Sequence, residues 1–361
     1  MARASRGAAV SARLESAEHR ARGAPDDARR HLQRSALKLV GYLLLAYVVL
    51  KAIPALKDAL SSLEHVRWEW VLGALGLEIL SETGFVVAWK AIVDPDGLLS
   101  GEGRDGRMDM RVAWAQLGGG LLLPGGSWGG VGVGTWILHR FGMPTELAVE
   151  RQFNLSFLNT AVDALALIVF GLALATGVLP GSRDPLLTLL PAGVTAIAIV
   201  SVVLMAARVR PDTGRLSRHR RVASSIATLS QAVKDTRLLF HTRSYRAILG
   251  VLAYLGFDVV VLWSAFLAIH ANPVPGFAVV VMAYIIGALG GSIPLPAGIG
   301  TVGGIAGMLI LYGVGHSPAV AAVVLHQAIG LLVPVAGGAI AYAVVRRRLG
   351  PIRARADERT G

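Results

Sequence analysis

The sequence predicts an all-α, polytopic transmembrane helical bundle, and three observations carry that prediction. Of 361 residues, 54% are hydrophobic and 16% charged, a balance more apolar than a soluble domain of this length shows. The charge is segregated: residues 1–34, 208–246 and 346–361 are rich in Arg and account for the net charge of +12, while the rest carries long apolar runs. Finally, those runs reach the length of about 20 residues that crosses a hydrocarbon core about 30 Å thick.

Taken along the chain, residues 1–34 form a basic arm, expected to be cytoplasmic and disordered. An amphipathic surface helix is the sharper alternative. The arm lacks the short apolar core and small-residue cleavage site of a signal peptide. Residues 35–348 then form a single transmembrane domain with six clear spans, at 37–56, 68–93, 152–178, 186–207, 246–269 and 318–345. Trp68, Trp70 and Trp89 lie near the ends of the second span, where interfacial aromatics are expected. Two further apolar stretches, 112–138 and 276–315, are broken by Pro and Gly: LLLPGGSWGGVG from Leu121 and GGSIPLPAGIGTVGG from Gly290. A basic loop, 208–245, and a basic tail, 349–361, complete the chain.

Lys and Arg near span ends mark the cytoplasmic side, so all three basic clusters are expected there. The number of crossings between 68–93 and the basic loop is then even. Spans 152–178 and 186–207 supply two, so 112–138 contributes none or two, as a re-entrant hairpin or as paired short helices. Its arms favour the hairpin, and for 276–315, with longer expected arms, both remain open. Pro124 and Pro296 stand 172 residues apart, each followed by a Gly-rich helix start, a short loop (HRFGMPTELA, YGVGHSPAVA) and a long apolar span. This is an internal repeat with units at about 68–178 and 246–345. The single span between them inverts the second, an architecture recurrent in transporters. Coincidental kinks in two helices are the plainer reading.

Ionisable groups at membrane depth are costly and need a partner, a wet cavity or a function. Glu78 and Glu82 stand four apart, on one helix face. They suit a proton, a cation or a cationic head group, or form a structural pair bonded to Arg140, Arg151 or Gly-rich backbone. Asp163, Asp258, His326 and Gln327 are the other polar candidates within spans, each equally a helix-packing partner, and Arg140 and Arg151, bordering the first hairpin, are further candidates for contacting a lipid head group. The broken helices expose N-terminal amides that attract anions, so Pro124, Gly125, Gly126, Pro294, Pro296, Gly298 and Gly300 are candidates for holding a phosphorylated lipid head group.

The same inventory weighs against other classes. With no cysteine, disulfides, thiolate metal sites and Cys nucleophiles are excluded. The GGSWGGVGVG stretch lacks the Lys and Ser/Thr of a P-loop, and no nucleophile elbow or zinc-type His cluster occurs. No enzymatic activity, metal or cofactor is expected. The basic clusters flank spans and do not alternate with stacking aromatics, so membrane lipids are the expected partners and nucleic acid is not.

At PLPAGIGTVGG from Pro294, then GMLILYGVG and LHQAIGLLVPVAGGAIAY, the chain resembles the transmembrane region of the lysylphosphatidylglycerol synthase family, flippase-like integral membrane proteins. The Pro-x-Pro-x-Gly-x-Gly stretch is the most specific element. LGFDVVVLWSAFLA around Asp258 and the LLPGG at Pro124 also fit. The resemblance implies translocation or binding of phospholipids or polyprenyl-linked lipids between leaflets of the cell membrane. It does not imply lysyl transfer, since no soluble aminoacyl-transferase domain is present. Two positions depart from the family pattern: Gly303 stands where the family usually has Glu, and Gln327 where it has Arg. A non-transporting membrane scaffold or accessory subunit is the alternative those departures raise, and a membrane-embedded lipid transferase a further one.

Overall fold

A computed structural model describes residues 66–100, 106–122, 127–208, 244–289 and 299–349. The arm 1–34, the span 37–56, nearly all of the loop 208–245 and the tail after 349 lie outside the described residues. So do Pro124, Gly125, Gly126, Pro294, Pro296 and Gly298 at the two breaks.

Every regular element among the described residues is an α-helix, nine in all: α1 (Trp68–Val93), α2 (Met108–Leu122), α3 (Ser127–Arg140), α4 (Thr145–Ala175), α5 (Pro185–Arg208), α6 (Ser244–Ala268), α7 (Phe277–Ala288), α8 (Ile299–Leu311) and α9 (His316–Leu349). Four are apolar and long enough to cross a membrane, in α1, α4, α6 and α9. At 1.5 Å per residue, the 26 residues of α1 extend about 39 Å, more than the hydrocarbon core requires. Exposed Leu72, Ile79, Leu165, Val169, Leu331 and Ile340 cover the outer faces of three of them, the surface that lipid tails can solvate.

The two interrupted segments each divide into a pair of short helices, α2 with α3 and α7 with α8, packed on each other. The arms of the second pair, 12 and 13 residues, are not longer than the 15 and 14 of the first, contrary to expectation. Each extends only about 20 Å, so neither half crosses the hydrocarbon core by itself.

Helix α1 lies antiparallel against α6. The Arg67 amide donates to the Ala268 carbonyl at 2.9 Å at one end, and the Ser81 hydroxyl to the Tyr254 carbonyl at 2.7 Å midway. The helices cross where Gly84 meets Gly250. A Cβ on Gly84 would stand 2.7 Å from the Gly250 oxygen, and one on Gly250 would stand 2.6 Å from the Gly84 oxygen. Lipid supplies no hydrophobic drive between helices, so such small-residue contacts and the dispersion they permit hold them together. Other contacts come in matched sets. α2 packs on α9 as α7 packs on α4; α1 touches α4 as α6 touches α9; α3 adjoins α4 as α8 adjoins α9.

Proline inside a helix leaves one carbonyl without its donor. In α5 that residue is Pro191, and the carbonyl four positions back belongs to Leu187. The Tyr312 hydroxyl, arriving just beyond α8, donates to it at 2.6 Å. A freed backbone acceptor is thereby satisfied across helices, as burial away from water demands. Tyr312→Phe should lower stability by about 1 kcal/mol in the native chain and by much less beside Pro191→Ala, where residue 191 regains an N–H; unfolding in detergent titrations reads the difference.

Candidate functional site

Three helices bring polar side chains to one junction, each by the four-residue spacing that places side chains on a common face. From α1 come Glu78 and Glu82, each only 3% exposed. From α6 come Tyr254 and Asp258, and from α9 comes His326, 5% exposed, with Gly330 one turn further on. Short helix α7 adds Tyr284.

Asp258 is the hub. The Tyr284 hydroxyl donates to its Oδ2, and its Oδ1 lies 2.7 Å from His326 Nε2. The Tyr284 and His326 rings meet edge to face at 5.8 Å between centroids. Asp258 is within Coulombic reach of Glu78, Glu82 and Asp163, so four carboxyl groups from three helices share one region. Among the described residues, three atoms of the junction have no hydrogen-bond partner: Glu78 Oε2, Glu82 Oε2 and His326 Nδ1. Each unpaired buried acceptor forfeits its hydration, and these three lie together around Asp258, so a donor or cation can be received there.

The other candidates fall elsewhere. Arg151 does not meet the Glu pair: it donates to the Val93 carbonyl at 3.1 Å and to Asp96 at 2.8 Å, fastening the end of α1 to α4. Arg140 is exposed at the end of α3. Neither offers the cationic partner considered for Glu78 and Glu82. Asp163 is half-buried on α4, Gln327 half-buried beside His326, and Gly300 half-buried in the first turn of α8. Gly303 faces open space, with no atom within 4 Å of where a Cβ would stand.

Trp89 corrects the reading of an interfacial belt. It is fully buried, and its indole N–H donates to Gln116 Oε1 at 2.8 Å. Gln116 and Gln152 exchange amide hydrogen bonds at 2.8 and 2.7 Å, joining α1, α2 and α4. Gly134 of α3 admits this pair, since a Cβ there would collide with Gln116 Oε1. Sequence position near a span end could not separate a wetted Trp from one with a buried partner.

Tyr254, Tyr284 and the Gln116–Gln152 pair escape a search for charges, because a hydroxyl or amide in an apolar run carries little signal. Tyr284 stands as the only hydroxyl-bearing residue in FAVVVMAYIIGA, which is the one clue the sequence offered.

The chain matches the protein family described as the lysylphosphatidylglycerol synthase TM region over residues 35–338. It belongs to that family. No curated protein matches it. As a member of the lysylphosphatidylglycerol synthase transmembrane-region family, it is a multi-pass integral membrane protein, and the matched residues contain the whole junction from Glu78 to Gly330. Asp258→Ala should strip the acceptor from both Tyr284 and His326 and destabilise the bundle by about 1–3 kcal/mol, with Asp258→Asn costing less; thermal unfolding in detergent compares them.

Proposed function

We propose that this protein is a flippase-like membrane protein that translocates or binds a phospholipid or polyprenyl-linked lipid between leaflets, with its head group entering between two inverted repeats. The observation that carries the reading is the buried polar junction at the contact of α1, α6 and α9. Polar and ionisable side chains gathered at membrane depth mark a substrate or ion pathway. Substrate sites between inverted repeats lie at the repeat interface. The antiparallel α1–α6 contact and the matched packing of α2 on α9 with α7 on α4 support the inverted arrangement, and so does the 172-residue offset between the starts of α3 and α8.

In this reading the protein acts on membrane lipids in the cell membrane, with both termini cytoplasmic, and performs no covalent chemistry. The second reading, a scaffold or accessory subunit, is favoured by the uncharged Gly303 and Gln327 where the family usually has an acid and a base. The full-length protein in liposomes with fluorescent anionic, aminoacylated and polyprenyl lipid analogues distinguishes the two. Leaflet exchange faster than in empty liposomes, and slowed by Asp258→Asn, is the expected result; exchange equal to empty liposomes for every lipid leaves the scaffold.

Orientation has a separate check. A reporter at Pro144 is expected on the same side of the membrane as one in the 208–246 loop, and labelling on opposite sides would refute a first hairpin that returns to the cytoplasm.

A further inference from the structure

Helix α9 contains Pro334, which has no N–H for the carbonyl of Gly330 four positions back. The equivalent carbonyl at Leu187 is answered by a hydroxyl. Among the described residues, the side chain that comes nearest the Gly330 Cβ position is Glu78. Its Oε1 stands 3.6 Å from where a Gly330 Cβ would be, and among the described residues no other group outside α9's own backbone comes within 4 Å of that point.

An ionised carboxylate only accepts hydrogen bonds, so beside a freed carbonyl it would set acceptor against acceptor. A carboxylic acid has the donor that the position requires. The charged groups facing Glu78 are Glu82 on its own helix, Asp258 on α6 and His326 on α9; Asp163 on α4 and the hydroxyls of Tyr254 and Tyr284 stand around Asp258. Two of the three charged groups facing Glu78 are acids. Among the described residues no three His, Asp or Glu side chains converge as metal ligands, which favours a proton over a metal cation as the positive partner.

His326 supplies a place for that proton to go. It lies one turn from Gly330 on the same face of α9. An ionised Asp258 accepts at both oxygens, so it requires the tautomer in which Nε2 carries hydrogen, and that leaves Nδ1, which has no partner among the described residues, as an open acceptor.

We propose that Glu78 is a proton-binding site, its carboxyl hydrogen bonded to the Gly330 carbonyl that Pro334 frees, and that the proton exchanges with Nδ1 of His326. In the exchange the Glu78 O–H bond breaks and an N–H bond forms at Nδ1. Glu78 becomes a carboxylate, and His326 an imidazolium whose Nε2–H stays on the Asp258 carboxylate. Net charge is conserved within the cluster, and the bond from α1 to α9 is released. The site goes beyond the lipid reading and does not depend on it.

Infrared difference spectroscopy on the full-length protein in phosphatidylglycerol vesicles, stepped in pH, reads the carboxyl directly, whether or not lipid moves. A protonated-carboxyl band is expected at neutral pH, with a component lost in Glu78→Gln. Pro334→Ala, which favours the helix and restores an N–H for Gly330, is expected to weaken that component at the same pH although Glu78 is intact. His326→Gln is expected to slow its deuterium exchange. A band absent from the native protein, unchanged by Glu78→Gln, or equally strong in Pro334→Ala overturns the proposal, as does its displacement by sodium ions at constant pH.

Discussion

A bilayer offers no water to a buried polar group, so every donor and acceptor at membrane depth must find its partner within the protein. The helices satisfy this requirement for most of their own backbone. Where they cannot, side chains from other helices are brought in. Tyr312 answers the carbonyl freed by Pro191, Trp89 joins a reciprocal Gln116–Gln152 pair, and Asp258 takes hydrogen bonds from two helices. Each is a polar link between segments that are otherwise joined by dispersion, and together they determine which helices lie next to which.

The same constraint governs the closest contacts. At Gly84 with Gly250 and at Gly118 with Gly338, the backbones approach to distances that any Cβ would prevent. The first of these crossings brings Glu78 and Glu82 alongside Asp258. A glycine contact and a buried charge cluster are therefore parts of one arrangement: without the close approach of α1 and α6, the carboxyl groups would have neither neighbours nor cover. The cluster differs from the structural links in one respect. Among the described residues Glu78, Glu82 and His326 keep unpaired atoms, whereas Gln116 and Gln152 satisfy one another.

Much of this architecture was legible along the chain, for reasons that lie in local physics. Crossing the hydrocarbon core takes a run of fixed length, so the limits of α1 could be read directly as residues 68–93. Pro and Gly interrupt a helix wherever they occur, so the division of 112–138 and 276–315 into short helices was also visible. Charge at membrane depth is rare enough that Glu78, Glu82, Asp258 and His326 stood out one by one. Trp89 was misread because aromatics near a span end satisfy two different rules, and only its neighbours decide between them.

The sequence by itself determined that this is a multi-pass helical membrane protein, the four spans now seen in α1, α4, α6 and α9, and where the helices break, because each of these follows from the length and composition of a contiguous segment. Tertiary structure alone decided that Asp258 joins His326 and Tyr284, that Arg151 serves the end of α1 and not the acids, and that Glu78 comes beside Gly330, four residues before Pro334. Those pairings depend on which faces of distant helices meet, and the periodicity of one helix specifies its face without naming the partner across from it.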